Sequence, residues 1–292
     1  MLIHVGFNIE FELPAATEAF FALSVHPSLK KRIRQDERLQ IGPHVPMTKF
    51  TDAFGNACGR ACLPAGLVQF SNDAVIEDSG RPDRINLKAQ QMKVNQLPSS
   101  VLQFLLPSRY CEVDSELSDI AWQLFGSTQE GWSRAQAICD FVHGHLKFDY
   151  QQARANRTAL EGYREKVGVC RDFMHLAIAF CRCMNIPARY ATGYLGDIGV
   201  PRDPNPMDFS AWFEVFLNNR WWTFDARHNQ RRVGRVLMAT GRDAADVALT
   251  TMFGKNLLTK FTVWTDEITD PEKSAADRGS TADKESKVAA MS

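Results

Sequence analysis

The sequence lacks the features that would place it in several specialised classes. Its 34 Lys and Arg residues equal its 34 Asp and Glu residues, so no charge excess favours nucleic acid or a membrane surface. No apolar run approaches the length of a membrane span, and the first residues lack the pattern of a secretory signal. With 45% hydrophobic residues over 292 positions, the composition is that of a globular protein, which we expect in the cytoplasm.

Cysteine is also too sparse for a secreted disulfide scaffold. Seven residues, an odd number, are spread over the whole chain, so we expect free thiols. Two close pairs, Cys58 with Cys62 and Cys181 with Cys183, have no second pair or histidines at the spacing of a zinc site. The sequence therefore predicts no metal ligands.

The first part of the chain has the pattern of β structure. Apolar and polar residues alternate from His4 to Leu13, which predicts a strand with one buried face. Further short apolar runs are separated by turns rich in Gly, Pro and Asp. We predict an N-terminal β-sandwich or barrel domain over residues 1–110.

Helical patterns begin after residue 110. Capping-box patterns at residues 127–130 and 158–161 predict two helix starts. A longer helix is predicted from Cys170 to about Asn185, a residue suited to a helix C-terminus, with Pro187 beyond it.

Strand patterns follow these helices. Helices followed by strands are typical of an α+β domain with helices packed on an antiparallel sheet. We predict such a core domain over residues 111–269. The last residues, 270–292, are polar and carry no apolar period, which predicts a disordered tail. The predicted strands of the core are residues 188–195, 209–217 and 220–225.

Cys170 lies in the most informative run of the sequence. It follows Gly168 and precedes Phe173 and Ala177 on the apolar stripe of the predicted helix. A helix N-terminus stabilises negative charge and lowers the pKa of a thiol, which favours a nucleophilic thiolate. A free cysteine is also commonly a small buried hydrophobe, so placement alone leaves both interpretations open.

Residues 209–225 have the pattern of a β-hairpin. The two asparagines at 218–219 suit a two-residue turn that needs positive φ at both positions. That turn places Trp212 opposite Asp225, and alternation puts Ser210 on the same face. The pattern predicts that Ser210 and Asp225 are diagonal neighbours facing the Cys170 helix.

Together these motifs resemble the transglutaminase-like superfamily, whose bacterial members are often described as candidate cysteine proteases. Residues 168–173 are similar to the nucleophile motif of that family, residues 185–194 to the following helix end and strand, and residues 211–225 to its hairpin. The resemblance covers roughly residues 110–265. It implies a papain-like or transglutaminase-like core, and a leading β domain is common in such bacterial proteins.

The resemblance also implies a chemistry. In this family a Cys–His–Asp triad acts on amide bonds through a thioester, as a peptidase, amidohydrolase or acyl transferase. Cys170 matches the nucleophile and Asp225 the aspartate, and the backbone N–H of Cys170 is expected in the oxyanion hole. A protein or peptide substrate is implied, with no cofactor.

One residue departs from the family pattern. The usual histidine position holds Ser210, which cannot act as an imidazole base. His228 is the best substitute, although the predicted register puts it opposite Phe209 on the other face, so a bend would be needed. His175, five residues along the helix from Cys170, is expected to be structural. The alternative is a catalytically impaired pseudoenzyme or binding module that keeps the fold.

Overall fold

The structure is a computed structural model that describes residues 1–269, so the tail predicted over residues 270–292 lies outside the described residues. Strands occupy most of the chain up to Glu77 and are frequent again after Pro187, with two short strands between these regions. The strands are β1 (Leu2–Leu13), β2 (Thr17–Phe21), β3 (Ile33–Gln35), β4 (Gln40–Gly42), β5 (Thr48–Thr51), β6 (Ala57–Leu63), β7 (Gly66–Glu77), β8 (Lys147–Phe148), β9 (Val167–Gly168), β10 (Ala188–Tyr194), β11 (Ser210–Leu217), β12 (Arg220–Phe224), β13 (Val236–Gly241), β14 (Thr250–Met252) and β15 (Leu257–Glu267).

Helices are concentrated in the middle of the chain. Within the described residues, no helix combines the length and the apolar composition needed to cross a bilayer. The α-helices are α1 (Ser99–Leu102), α2 (Leu117–Phe125), α3 (Trp132–His145), α4 (Ala159–Glu165) and α5 (Cys170–Cys183), and short 3₁₀ turns lie at Pro27–Arg32, Val94–Gln96, Gln103–Leu105 and Tyr150–Gln152.

The N-terminal region is β-rich, as predicted. One antiparallel sheet has the order β15-β1-β7-β3, with β4 also on β7, and a second has the order β14-β2-β6-β5. The alternation seen in β1 buries Val5, Phe7 and Ile9 between the two sheets. The rings of Phe21 and Phe70 meet across this core with centroids 5.3 Å apart.

Strands β14 and β15, which the sequence analysis grouped with the core domain, add to these N-terminal sheets. β15 pairs with β1 and β14 pairs with β2. Only Val263 and Thr265 are buried in β15, so its residues carry little pattern that identifies a partner sheet. The division of the chain at residue 110 remains a prediction.

The core region confirms the predicted α+β class. Its antiparallel sheet has the order β12-β11-β10-β13, and α5 packs on β10 and β11. Ala211, Phe213 and Val215 of β11 join the apolar cluster that contains α5, whereas Phe216 packs in a different cluster. Strand alternation thus gives this sheet one face toward α5 and one face away from it.

The two predicted capping boxes have different outcomes. At Thr158 the box forms: its Oγ1 accepts from Glu161 N at 3.3 Å, and Glu161 accepts from Thr158 N at 2.9 Å. At residues 127–130 the prediction is wrong, because Thr128 Oγ1 donates to Phe125 O at the end of α2 instead. Helix α3 begins after Gly131, which has φ +91°.

Position 131 requires a glycine because the segment around Ala89 passes close to it. A Cβ there would lie 2.3 Å from Ala89 O, and Trp132 N donates to that same oxygen at 2.9 Å. This contact joins the start of α3 to a residue more than forty positions away, so local sequence could not indicate it.

We predict that Gly131→Ala destabilises the protein by about 1–3 kcal/mol, because it adds both a clash and a disfavoured φ. Gly144→Ala is the matched control, since Gly144 lies in the same helix with nothing within 4 Å of its Cβ position. That control should stabilise by roughly 0.5–1 kcal/mol. Urea midpoints of the two variants test this, and equal midpoints would contradict it.

Candidate active site

Cys170 is the first residue of α5, as predicted. The helix start is built by Asp172, whose Oδ2 accepts from Val169 N at 2.9 Å. Because Asp172 folds back in this way, a Cβ on Gly168 would lie only 2.6 Å from the Asp172 Cβ. The glycine and the aspartate of this motif therefore fix the backbone that presents the thiol.

Asp172 is also half of a buried ion pair. It is 2% exposed, and its Oδ2 accepts from Arg157 Nη1 at 2.9 Å. Arg157 in turn donates from Nε to Glu165 at 2.9 Å and from Nη2 to Gln152 O at 2.8 Å. These contacts attach the start of α5 to the segment before it, a role for Asp172 that the sequence analysis missed.

The charge state of the thiol differs from the prediction. Cys170 is partly buried, and burial raises its pKa to about 11, with opposing contributions from Arg227, which lowers it, and Asp208, which raises it further. Loss of water around the sulfur therefore outweighs the favourable position at a helix start. The thiol holds its proton at neutral pH, so nucleophilic chemistry there needs a base.

His228 pairs with Asp225, although the register predicted from the sequence put it on the other face. Strand β12 ends at Phe224, and the Asp225 carboxylate accepts from the backbone N–H of Arg227 at 3.1 Å and of His228 at 3.0 Å. This turn brings His228 Nδ1 to 2.9 Å from Asp225 Oδ2. The hairpin register was wrong beyond Phe224, because an aspartate readily forms such a turn with its own following backbone.

The rest of the hairpin follows the prediction. Asn218 and Asn219 have φ of +48° and +57°, and Leu217 pairs with Arg220. The turn type and the pairing next to it are therefore as the sequence indicated.

Ser210 does not face the helix as expected. Alternation places it with Trp212, on the opposite side of β11 from the residues that pack against α5. It lies opposite Gly193 of β10. Asp225 follows the end of β12, and Arg235 approaches both its carboxylate and the Trp212 ring.

Arg235 is a third partner of the Asp225 carboxylate. Its Nη2 donates to Asp225 Oδ2 at 2.9 Å, and both side chains are buried. Burial alone would raise the pKa of Asp225, but the Arg235 charge and the His228 hydrogen bond outweigh it and hold that pKa below its usual value. Asp225 is therefore ionised at neutral pH. No spacing rule links residues 225 and 235, so nothing in the sequence indicated this pair.

An open pocket of about 690 Å³ borders these groups. His228, Ser210, Arg227, Asp208 and Tyr150 all contribute to its wall. The charges of Arg227 and Asp208 act on the Cys170 thiol, and that of Cys170 acts on Tyr150. His228 and the two charged groups that act on the thiol thus line one pocket, whose wall includes neither Cys170 nor Asp225. Neither Arg227 nor Asp208 was singled out by the sequence analysis.

The other histidines near the site are structural. His175 is fully buried and its Nε2 accepts from Ala244 N at 3.2 Å, which agrees with the predicted role. His143 contributes to the turn after Asp225, because its Nδ1 lies 3.0 Å from Arg227 O. Helix α3 thereby supports the segment that carries His228.

The cysteines of the structure are unpaired. Cys58 is buried and Cys62 is exposed, and both are free thiols, like Cys181 and Cys183. Among residues 1–269, no group of three or more His, Cys, Asp or Glu side chains is arranged to hold a metal ion.

Comparison with known proteins agrees with this architecture. Residues 119–226 match the transglutaminase-like superfamily. A solved structure from Cytophaga hutchinsonii, described as a candidate cysteine protease, is 29% identical, covers 93% of both chains and has a TM-score of 0.79. An uncharacterised protein of Mycobacterium leprae is 26% identical over 148 residues, which are 49% of this chain and 52% of that protein. The match thus spans about half the length of this curated relative.

The charged residues around the Cys170 thiol predict how substitutions change its rate of alkylation. Below the thiol pKa, each unit by which that pKa falls raises the thiolate fraction tenfold. Asp208→Asn removes a charge that raises the Cys170 pKa, so alkylation of Cys170 at pH 7 should become several-fold faster. Arg227→Gln removes a charge that lowers the pKa, so alkylation should become several-fold slower. Iodoacetamide rates read by peptide mapping measure both.

Arg220→Gln is the matched control for these variants. Like Arg227, Arg220 lies over an aromatic ring, but it does so at the far end of the hairpin. Its alkylation rate should equal that of the native protein. Shifts of the same sign in Asp208→Asn and Arg227→Gln would contradict the charge assignment.

Proposed function

We propose that this chain, whose residues 119–226 match the transglutaminase-like superfamily, is a thiol enzyme that acts on amide bonds. Cys170 is the nucleophile, His228 the base and Asp225 the residue that orients the base. His228 replaces the histidine that the family pattern would place at Ser210.

The proposed reaction has two stages. In the first, His228 Nε2 takes the Cys170 thiol proton while the sulfur attacks the amide carbonyl carbon. The C–N bond then breaks, the amine leaves with the proton from His228, and a thioester remains on Cys170. In the second, water or another amine attacks the thioester by the same proton route and restores the thiol.

The main support is the contact of 2.9 Å between His228 Nδ1 and Asp225 Oδ2. A carboxylate on Nδ1 keeps the proton on that nitrogen and leaves Nε2 as the acceptor. His228 also lines the pocket whose Arg227 and Asp208 act on the thiol. The raised pKa of Cys170 fits a base that removes the proton during attack better than it fits a preformed thiolate.

The first helical position supports the transition state. The backbone N–H of Cys170 has no partner four residues earlier in the helix, as for every residue of a first turn. This donor is available to the oxyanion that forms on the attacked carbonyl.

The proposed substrate class follows from the amide chemistry proposed above and from a similar solved structure. We propose a protein or peptide amide, since the similar structure from Cytophaga hutchinsonii is described as a candidate cysteine protease. The cytoplasmic location expected from the composition is part of the same proposal.

A binding module is the second candidate. It is favoured by Ser210 at the usual histidine position and by the raised pKa of Cys170. In that case Cys170 and Asp225 would serve structure alone, and the pocket would hold a ligand without acting on it.

The two candidates predict different responses to substitution. With p-nitrophenyl acetate as the probe, the enzyme should release nitrophenol and form an acetyl thioester on Cys170. His228→Ala should slow both by about 10²–10⁴-fold, the usual contribution of a general base. Ser210→His should change the rate little, and Cys170→Ala should abolish the adduct. Stopped-flow absorbance and peptide mass mapping measure these outcomes.

His44→Ala serves as the control, because His44 is exposed and lies outside the pocket. If His228→Ala reacts as fast as the native protein while Ser210→His speeds the reaction, the binding module is the better description.

A further inference from the structure

Arg235 connects the His228–Asp225 pair to a second carboxylate from a distant part of the chain. Its Nη2 donates to Asp225 Oδ2 at 2.9 Å, while its Nε lies 3.0 Å from Asp83 Oδ2 and 3.2 Å from Oδ1. The Arg235 side chain is only 7% exposed. One buried cation therefore lies between two carboxylates.

Asp83 is held firmly in this position. Its Oδ2 accepts from Arg232 N at 3.0 Å, and its own N–H donates to Arg232 O at 2.9 Å. Arg231 Nε also donates to Asp83 O at 2.6 Å. These contacts fix the segment after β7 against the segment that carries Arg235, so the position of the guanidinium does not depend on His228.

His228 and Arg235 share one oxygen atom. His228 Nδ1 and Arg235 Nη2 are both 2.9 Å from Asp225 Oδ2. A carboxylate beside an imidazole favours the protonated ring, and an imidazolium cannot accept a proton from a thiol. A cation on the same oxygen offsets part of the preference of the carboxylate for the protonated ring.

We propose that Arg235 is a positioning residue that keeps His228 unprotonated at neutral pH and fixes Asp225 for it, with Asp83 setting how much of the Arg235 charge reaches Asp225. This proposal rests on the proposed function, because the proposed reaction requires that His228, as the base, is unprotonated.

Other charged groups lie on the pocket wall with His228, and one of them, Arg232, is buried. Asp203 lies close enough for His228 to act on it, and it is solvent-exposed, so water screens the interaction. The other titratable or charged groups on the pocket wall are Tyr150, Asp197, Arg202, Asp208, Arg227, Arg232 and Asp266.

The test is the titration of the His228 ring, followed between pH 5 and 9 by nitrogen-15 NMR of labelled histidine that is assigned with His228→Ala. Arg235→Met should move the midpoint of this titration to higher pH by about one unit, because no cation then offsets the Asp225 carboxylate. Arg235→Lys keeps the charge and should reverse most of that shift.

Asp83→Asn should have the opposite effect to Arg235→Met. It leaves more of the Arg235 charge acting on Asp225, so the midpoint of the His228 titration should move to lower pH. It also keeps the shape of the side chain, and it carries the test by itself if Arg235→Met does not fold.

Arg134→Gln is the control for general loss of a buried arginine. Arg134 is 4% exposed, and its partners include Thr128 and Gly126, which lie between the helical segments of α2 and α3. Midpoints of the His228 titration that stay in place in Arg235→Met and Asp83→Asn, or that move in the same direction, would overturn the proposal. A reaction of the native protein with p-nitrophenyl acetate that is unchanged in His228→Ala would instead refute the proposed function.

Discussion

The buried carboxylate of Asp225 is the constraint on which the candidate site depends. An unpaired charge in this position would cost several kcal/mol, and removing one partner of a buried ion pair costs about 3–5 kcal/mol. The chain meets this demand with the backbone N–H groups of residues 227 and 228, the His228 ring and Arg235. The same contacts turn the chain out of β12 and hold an imidazole at the pocket. The same contacts therefore satisfy the charge of Asp225 and place the His228 ring at the pocket.

The pKa of Asp225 makes this event dependent on pH. Because that pKa is lower in the folded protein than in the unfolded chain, the pair contributes stability that is fully present above about pH 4. That contribution is lost as the pH falls toward the folded value. The thiol is perturbed in the opposite sense, since burial raises the pKa of Cys170 to about 11. A protonated thiol needs a base to react, and the base proposed for it, His228, is the residue that contacts the ionised Asp225.

Sequence reasoning predicted the elements well and the ends of those elements less well. Local patterns gave the Cys170 helix, the asparagine turn and the α+β class, because periodicity and turn chemistry act over a few residues. The position of His228 was missed because the predicted strand continued through Asp225, whose own side chain ends it. Arg235 and Asp83 could not be found, since their contact joins residues about 150 apart. The start of α3 at Gly131 has the same explanation, a close approach by Ala89.

The state of the His228 ring tests the account most directly. Nitrogen-15 NMR of selectively labelled histidine, assigned with His228→Ala, reports which ring nitrogen carries the proton. The account predicts a neutral ring at pH 7.5, with the proton on Nδ1 toward Asp225 and Nε2 unprotonated. A ring that carries its proton on Nε2, or that is doubly protonated at this pH, would contradict it, because Nε2 could not then accept the proton of Cys170.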